Sequence, residues 1–298
     1  MKSHEHIHFD VIIPTYNSHD YVERALSSVV AQTYPSWTLY VVDGSDDDRT
    51  SDIVLAFIDR YPDYDIRLIE QDHTLHPHLS GARNQAISVG NSTHIALLDS
   101  DDVWYPEHLE ELVGGWEESP HAAIVCTVGE YDQDYRWSEG KNVFRRRFHL
   151  QIVDEAPPFG CEWLLATHYP GLCMVPSVVS FTRALFEAVG GFPPVRYEED
   201  VALFSLLLRE GGVRTGEGGG SFKQVPFAGV WLDWLRDGHK VSNEMHSTGS
   251  ERLERDRAFY SMRWHDWAQE LISEPSLGFL GSGWEDRCRT IIRGDWPW

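Results

Sequence analysis

The chain has 298 residues, 42% of them hydrophobic, with 24 Gly and 15 Pro; this is enough to bury one large domain with a small extension, and it excludes a disordered or fibrous chain. Acidic residues outnumber Lys plus Arg by 47 to 25, a formal net charge of -22 that disfavours nucleic acid and anionic membrane as main partners. A phosphate-bearing substrate would need a divalent cation to turn clustered carboxylates into an anion site, so carboxylates placed together are the feature to look for.

In chain order, Phe9 to Ile13 is an apolar run stopped by Pro14 and is predicted as a buried strand. Ser18 or Asp20 can cap the helix that follows, on which Tyr21, Val22, Ala25, Leu26, Val29 and Val30 make one apolar face. Thr38 to Val42 is a second strand, broken at Asp43-Gly44-Ser45, and Thr50 or Ser51 can cap a helix carrying Ile53, Val54, Phe57 and Ile58. Ile66 to Ile69, a helix from Ser80 to Val89, and the strand His94 to Leu98 follow, the last ending in Asp99-Ser100-Asp101-Asp102. Pro106 suits the first position of a helix bearing Leu109, Leu112, Val113 and Trp116, and Ala122 to Val128 reads as a fifth strand. Alternating strands and helices predict an α/β fold: a mostly parallel central sheet flanked by helices.

The stretch 131–176 is irregular and aromatic and suggests extra antiparallel strands. Its one tight basic run is Arg145-Arg146-Arg147, either a solvated strand end or a phosphate or acceptor contact. Thr182 can cap a helix through Val189, ended by Gly190-Gly191, and a buried helix is predicted over Asp200 to Arg209. Gly216 to Gly220 reads as a turn or lid. Beyond Glu251, Leu253, Tyr260, Trp264, Trp267 and Leu271 recur at helical spacing, a face that packs on the domain or forms a homodimer or membrane-surface contact. Cys126, Cys161, Cys173 and Cys288 form no CxxC pair and read as buried free thiols. With no signal-peptide core near Met1 and no apolar stretch of membrane-spanning length, the expected location is cytoplasmic, with peripheral membrane contact left open.

In open parallel sheets, ligands bind at the carboxyl ends of strands, where Asp43, Asp99 and Asp101 all fall. Three carboxylates crowded into 99–102 raise one another's pKa unless a cation joins them, and hard carboxylate oxygens suit Mg2+ or Mn2+. The bland alternative is a solvated turn before Pro106. Asp43 could accept a base N–H or cap a turn. Arg83, near a helix start, invites an anion, either a donor phosphate or only Asp43 or Asp99. Glu199 and Asp200 open a strongly apolar helix, either as simple first-turn acids or as a rigidly held general base for a sugar hydroxyl. His246 could complete a metal shell or bond a diphosphate. Trp104, Trp231 and Trp234 could stack on sugar faces.

The ordered blocks Val11-Ile12-Ile13-Pro14-Thr15-Tyr16-Asn17, Val41-Val42-Asp43-Gly44-Ser45, Ala82-Arg83-Asn84, Leu97-Leu98-Asp99-Ser100-Asp101-Asp102, Gly190-Gly191-Phe192 and Glu199-Asp200 resemble the family-2 glycosyltransferases with the GT-A fold. The resemblance covers about residues 8 to 212. It implies a Rossmann-like sheet, a nucleotide-diphosphate sugar donor, a divalent metal and inversion at the anomeric carbon. By position, Pro14, Thr15, Tyr16 and Asn17 match the loop lining the nucleoside pocket, and Asp43 the base contact, commonly to uracil. Arg83 matches a donor-side arginine, Asp99 with Ser100 the ribose and donor segment, and Asp101 the metal ligand. Asp200 matches the general base, with Glu199 in reserve because Glu198 precedes the pair. His246, with Ser247 and Ser250, resembles the late histidine–serine stretch of many members, but the usual basic residue near it is missing.

The expected organisation is a GT-A domain over 1–250, with a nucleotide-sugar half at about 8–130 and an acceptor half at 131–250, then a helical aromatic-rich extension over 251–298. The expected partners are the sugar donor and a saccharide, lipid-linked or small-molecule acceptor, and no nucleic acid. With no Gln-x-x-Arg-Trp motif, single additions are expected. A nucleotidyltransferase would want a basic Gly-rich first loop, and a dehydrogenase a GxGxxG there; neither is present. A non-catalytic glycan or nucleotide-sugar binder of the same fold is the remaining alternative.

Overall fold

The computed structural model describes residues 7–136, 143–149, 175–194, 199–215, 222–231 and 289. Strands β1 (Phe9–Thr15), β2 (Trp37–Asp43), β3 (Ile66–Glu70) and β4 (His94–Leu97) are parallel and lie in the order β3-β2-β1-β4. Every residue of β1 and β2 is buried, as the near-continuous Val/Ile/Leu runs require when helices cover both faces. Helices α1 (Val22–Val30) and α2 (Arg49–Arg60) pack together, and α3 (His78–Val89) packs on β1 and β2. Right-handed crossovers put α1 and α2 on one face and α3 on the other, because the chain reverses direction across the sheet after β3.

Beyond β4 the sheet becomes mixed. β8 (Val179–Thr182) inserts antiparallel between β4 and β6 (Ile124–Arg136); β9 (Phe222–Trp231) runs parallel to β6, and the two-residue β5 (Val103–Trp104) closes the edge. β7 (Val143–His149) pairs with the far end of β6, its Arg145-Arg146-Arg147 in register with Asp134, Gln133 and Asp132. The expected α/β sheet with a small antiparallel part is thus present. β6 runs well past the predicted Val128, because β7 supplies its outer half with a partner.

Helix starts differ from their sequence signals. Tyr21 flanks α1 without a side-chain cap, so neither Ser18 nor Asp20 caps it; the carbonyl of Ser18 accepts the N–H groups of Tyr21 and Val22 instead. α2 begins at Arg49, which places Thr50 and Ser51 inside it, and α3 begins at His78 rather than Ser80. α4 (His108–Glu118) starts after Pro106, whose carbonyl accepts Thr33 N–H. Thr182 does cap α5 (Arg183–Val189), accepting Leu185 N–H at 3.4 Å, and Gly190 ends it in the left-handed region at φ 86°. α6 spans Glu199–Thr215.

Cys126 is a buried free thiol, as expected. Among the described residues no helix is long and apolar enough to cross a membrane. The C-terminal extension, the Gly216–Gly220 turn, Trp234, His246 and the other three cysteines lie outside the described residues.

Candidate functional site

The register sets Thr15 level with Asp43, and β1 pairs β4 just before the Asp99 turn, so three strand ends share one rim. At the β2 end, Asp43 is buried and surrounded by donors. Its Oδ1 accepts from Thr15 Oγ1 at 2.9 Å, Ser45 N at 3.1 Å and Ser45 Oγ at 2.5 Å, and its Oδ2 from Ser51 Oγ at 2.5 Å. The carboxylate therefore caps the Asp43-Gly44-Ser45 turn, one of the two roles weighed for it, and Ser51, read as a helix cap, serves it.

Pro14 is buried in β1, while Tyr16 is exposed and Asn17 takes a left-handed φ of 53°, tolerated by Asn. Tyr16 and Asn17 both donate to Asp46 Oδ2, at 2.8 and 3.2 Å, and Asn17 N–H donates to Ser45 Oγ at 2.8 Å. These bonds hold the Asp46 carboxyl below its ordinary value, Tyr16 contributing most. The two loops are thereby laced across the mouth of the rim.

The Asp99–Asp102 turn is fixed from behind. Ser177, the middle residue of the 3-10 turn Pro176–Val178 before β8, donates to Asp102 Oδ2 at 2.6 Å and accepts Asp99 N–H at 3.0 Å. Trp104 Nε1–H donates to the Ser177 carbonyl at 2.7 Å, and its ring stacks on buried His108 at 4.4 Å. Trp104 is thus a core brace and not the sugar platform allowed for it by sequence. Ser100 Oγ lies 2.8 Å from Ser18 Oγ, so the failed helix cap instead ties the β1 loop to this turn.

Arg83 is 1% exposed. Its Nη2 donates to Asp99 Oδ1 at 2.7 Å and its Nη1 to Glu199 Oε1 at 2.5 Å, with the Phe192 ring 5.4 Å from the guanidinium. Of the anions weighed for it, Asp99 is the one present, joined by Glu199. Burial alone would lower the Arg83 pKa, but Asp99, Glu199 and Asp200 together outweigh it and raise the value. Asn84, the next residue, accepts Phe192 N–H and donates to Phe192 O, both at 2.9 Å, so the Ala82-Arg83-Asn84 and Gly190-Gly191-Phe192 blocks are halves of one contact. Glu199 is buried and Asp200 half-buried on the first turn of α6.

Sequence reasoning missed Ser177, Asn84 and the roles of Ser18, Ser45 and Ser51. Asn84 stood inside a noted block; Ser177 had no local signal at all.

No group of three His, Cys, Asp or Glu side chains is assembled for a metal among the described residues. Asp99 and Asp101, both half-buried, offer hard oxygen donors on one turn. Mg2+-type ions are commonly held by one or two carboxylates plus substrate phosphates, so this donor set fits such an ion.

Together the sheet and the rim define a GT-A-like α/β protein with carboxylates gathered at its strand ends. Residues 10–165, just over half of the chain, match the family described as glycosyl transferase family 2, and the chain belongs to that family. It is 37% identical over 100 residues to the UDP-Glc:alpha-D-GlcNAc-diphosphoundecaprenol beta-1,3-glucosyltransferase WfgD of Escherichia coli, covering 34% of this chain and 37% of that one. It is 33% identical over 188 residues to an uncharacterized glycosyltransferase of Nostoc sp., covering 63% of this chain and 54% of that one. The chain therefore spans little more than a third of the first relative and about half of the second. The fold is that of S. aureus TarS 1–349 in complex with UDP-GlcNAc, with TM-score 0.60 at 17% identity over 97% of this chain and 71% of that one. It is also that of the mannosyltransferase PcManGT from Pyrobaculum calidifontis in complex with GDP-Man and Mn2+, with TM-score 0.54 at 18% identity over 96% and 73%.

Proposed function

We propose that this chain transfers a single sugar, with inversion, from a nucleoside-diphosphate sugar to a hydroxyl of a saccharide, lipid-linked or small-molecule acceptor. The observation that carries the reading is the Arg83 bridge. It joins Asp99 of the donor turn to Glu199, beside Asp200, across a hundred positions of the chain, as a donor seat with an adjacent base requires. The names of the relatives support the same chemistry.

Asp200 takes the proton of the acceptor hydroxyl as that oxygen bonds to the anomeric carbon from the face opposite the diphosphate. The bond from that carbon to the diphosphate oxygen breaks, and the electron pair leaves with the nucleoside diphosphate. A divalent ion held by Asp101 with Asp99 supplies, when bound, charge neutralisation of the diphosphate. Uridine is the favoured nucleoside. Asp43 Oδ1 already accepts three hydrogen bonds and Oδ2 one, which leaves a single acceptor position. A base edge with one N–H between two carbonyls matches that; a base with two adjacent donors does not.

Calorimetry with UDP and GDP, with and without Mn2+, tests the donor site. UDP is expected to bind in a metal-dependent manner, and Asp101→Ala to weaken it by about 100-fold. Asp200→Asn is expected to keep donor binding while transfer falls roughly 10²- to 10⁴-fold. Normal transfer by that variant would refute the base assignment.

A further inference from the structure

Resting on the glycosyl-transfer reading, we infer that Glu199 is a positioning residue, not a second base: through buried Arg83 it fixes the first turn of α6, and with it Asp200, at a set distance from Asp99. Glu199 and Arg83 are both withdrawn from solvent, at 8% and 1% side-chain exposure, whereas Asp99 is 30% exposed. A base must reach an acceptor hydroxyl, and Glu199 instead directs Oε1 at Arg83 Nη1. The two Nη groups of one planar guanidinium serve two carboxylates from different ends of the chain. The fork is rigid, so it transmits position as a flexible ammonium would not.

The bridge is itself held in place. Phe192 lies against the guanidinium, and its backbone is pinned in both directions by Asn84. Gly191, at φ 80°, has no room for a Cβ, which would lie 2.9 Å from Asn84 Oδ1. The corner leading to α6 and the side chain that receives α6 are therefore set by one dipeptide of α3, Arg83-Asn84. This accounts for the different burial of two carboxylates side by side at the start of α6: Glu199 is buried on the bridge, whereas Asp200 is half-buried.

Glu199→Gln keeps the length and an acceptor oxygen but removes the charge, and Arg83→Lys removes the fork. For Glu199→Gln the UDP dissociation constant is expected to stay within about threefold while kcat for transfer falls roughly 10- to 100-fold, the cost of a misplaced base. The residual activity keeps the wild-type pH profile, because Asp200 still accepts the proton. The double variant Arg83→Lys/Glu199→Gln is expected to be no slower than Arg83→Lys alone, since both act through one bridge. Unchanged kcat in Glu199→Gln, or additive losses in the double variant, would overturn the inference. So would loss of the pH dependence in Glu199→Gln alongside normal transfer by Asp200→Asn. A double-mutant cycle on thermal unfolding at positions 83 and 199 reads the bridge without any substrate. Coupled unfolding with no sugar transfer by the wild type would refute the transfer reading and leave the bridge standing, and independent unfolding effects would refute the bridge itself.

Discussion

The two edges of the parallel strands each carry an arginine withdrawn from solvent, Arg183 at 15% and Arg83 at 1% side-chain exposure, and the two are used differently. At the amino edge, Arg183 of α5 donates from Nε to Ser92 O at 2.8 Å, from Nη1 to Ile87 O at 2.6 Å and from Nη2 to Asp10 Oδ2 at 2.5 Å. Asp10 also accepts Ser92 Oγ–H and N–H, so one cation meets one anion with every direction satisfied. At the carboxyl edge, Arg83 serves Asp99 and Glu199 and feels Asp200 besides, while its Nε–H has no hydrogen-bond partner among the described residues. The first arrangement is neutral and closed. The second holds an excess of negative charge around one cation, in the half of the molecule where strand ends meet solvent. Identical side chains thus separate a clamp from a site by stoichiometry and by residual unsatisfied polarity.

The sharpest way to break this contrast is to cut each pair. Asp10→Ala leaves the part-buried Arg183 without its anion and is expected to destabilise the fold by about 3 kcal/mol in urea denaturation, with activity per folded molecule unchanged. Arg83→Met is expected to remove most activity, even where the protein stays folded at the assay temperature. Reduced specific activity in Asp10→Ala would dissolve the distinction between the edges.

Acid stability sharpens it on a smaller scale. His94, which opens β4 at the amino edge, has its pKa lowered by burial from 6.5 to about 4, and His108 on α4 likewise from 6.5 to about 3. The unfolded chain takes up these protons near 6.5 and the folded chain only at those lower values. The fold therefore keeps its full stability above that pH and loses it progressively on acidification, by on the order of 2 kcal/mol per histidine at about pH 5. His94→Phe should remove about half of that slope in pH-dependent urea midpoints. An unchanged slope would mean that the carboxyl-edge acids dominate.

The smallest expected effects lie at the corner beside Arg83. Gly190→Ala meets no neighbour within 4 Å and bears only the left-handed strain of φ 86°, about 1 kcal/mol. Gly191→Ala carries similar strain and also crowds Asn84, so it alone should lower kcat along with the melting temperature.

The parallel half was legible because its signals are local. Apolar runs such as Val11-Ile12-Ile13 end at Pro14, and Val41-Val42 at Asp43, so strands and their functional ends fall where composition changes. The mixed half was less legible, because β5 and β8 owe their strand form to partners far away in sequence. Cap assignments failed for a related reason. Ser18 and Ser51 carry the right chemistry for a cap, but Ser100 and Asp43 compete for their hydroxyls. For Arg83 a donor phosphate, Asp43 and Asp99 were all candidate anions; its second partner, Glu199, lies more than a hundred positions away, and no spacing rule connects the two.

Ser177 gives the Asp99–Asp102 turn a kinetic signature. The hydroxyl that holds Asp99 N–H and Asp102 arrives from 75 to 78 residues downstream, next to the strand that must first slot in beside β4. Closing so long a loop is slow compared with the local β1–α1–β2 contacts, so the sheet should acquire its hydrophobic interior before its rim. In stopped-flow refolding, burial of core tryptophan is expected to precede recovery of nucleotide binding, with Ser177→Ala widening the gap between the two phases.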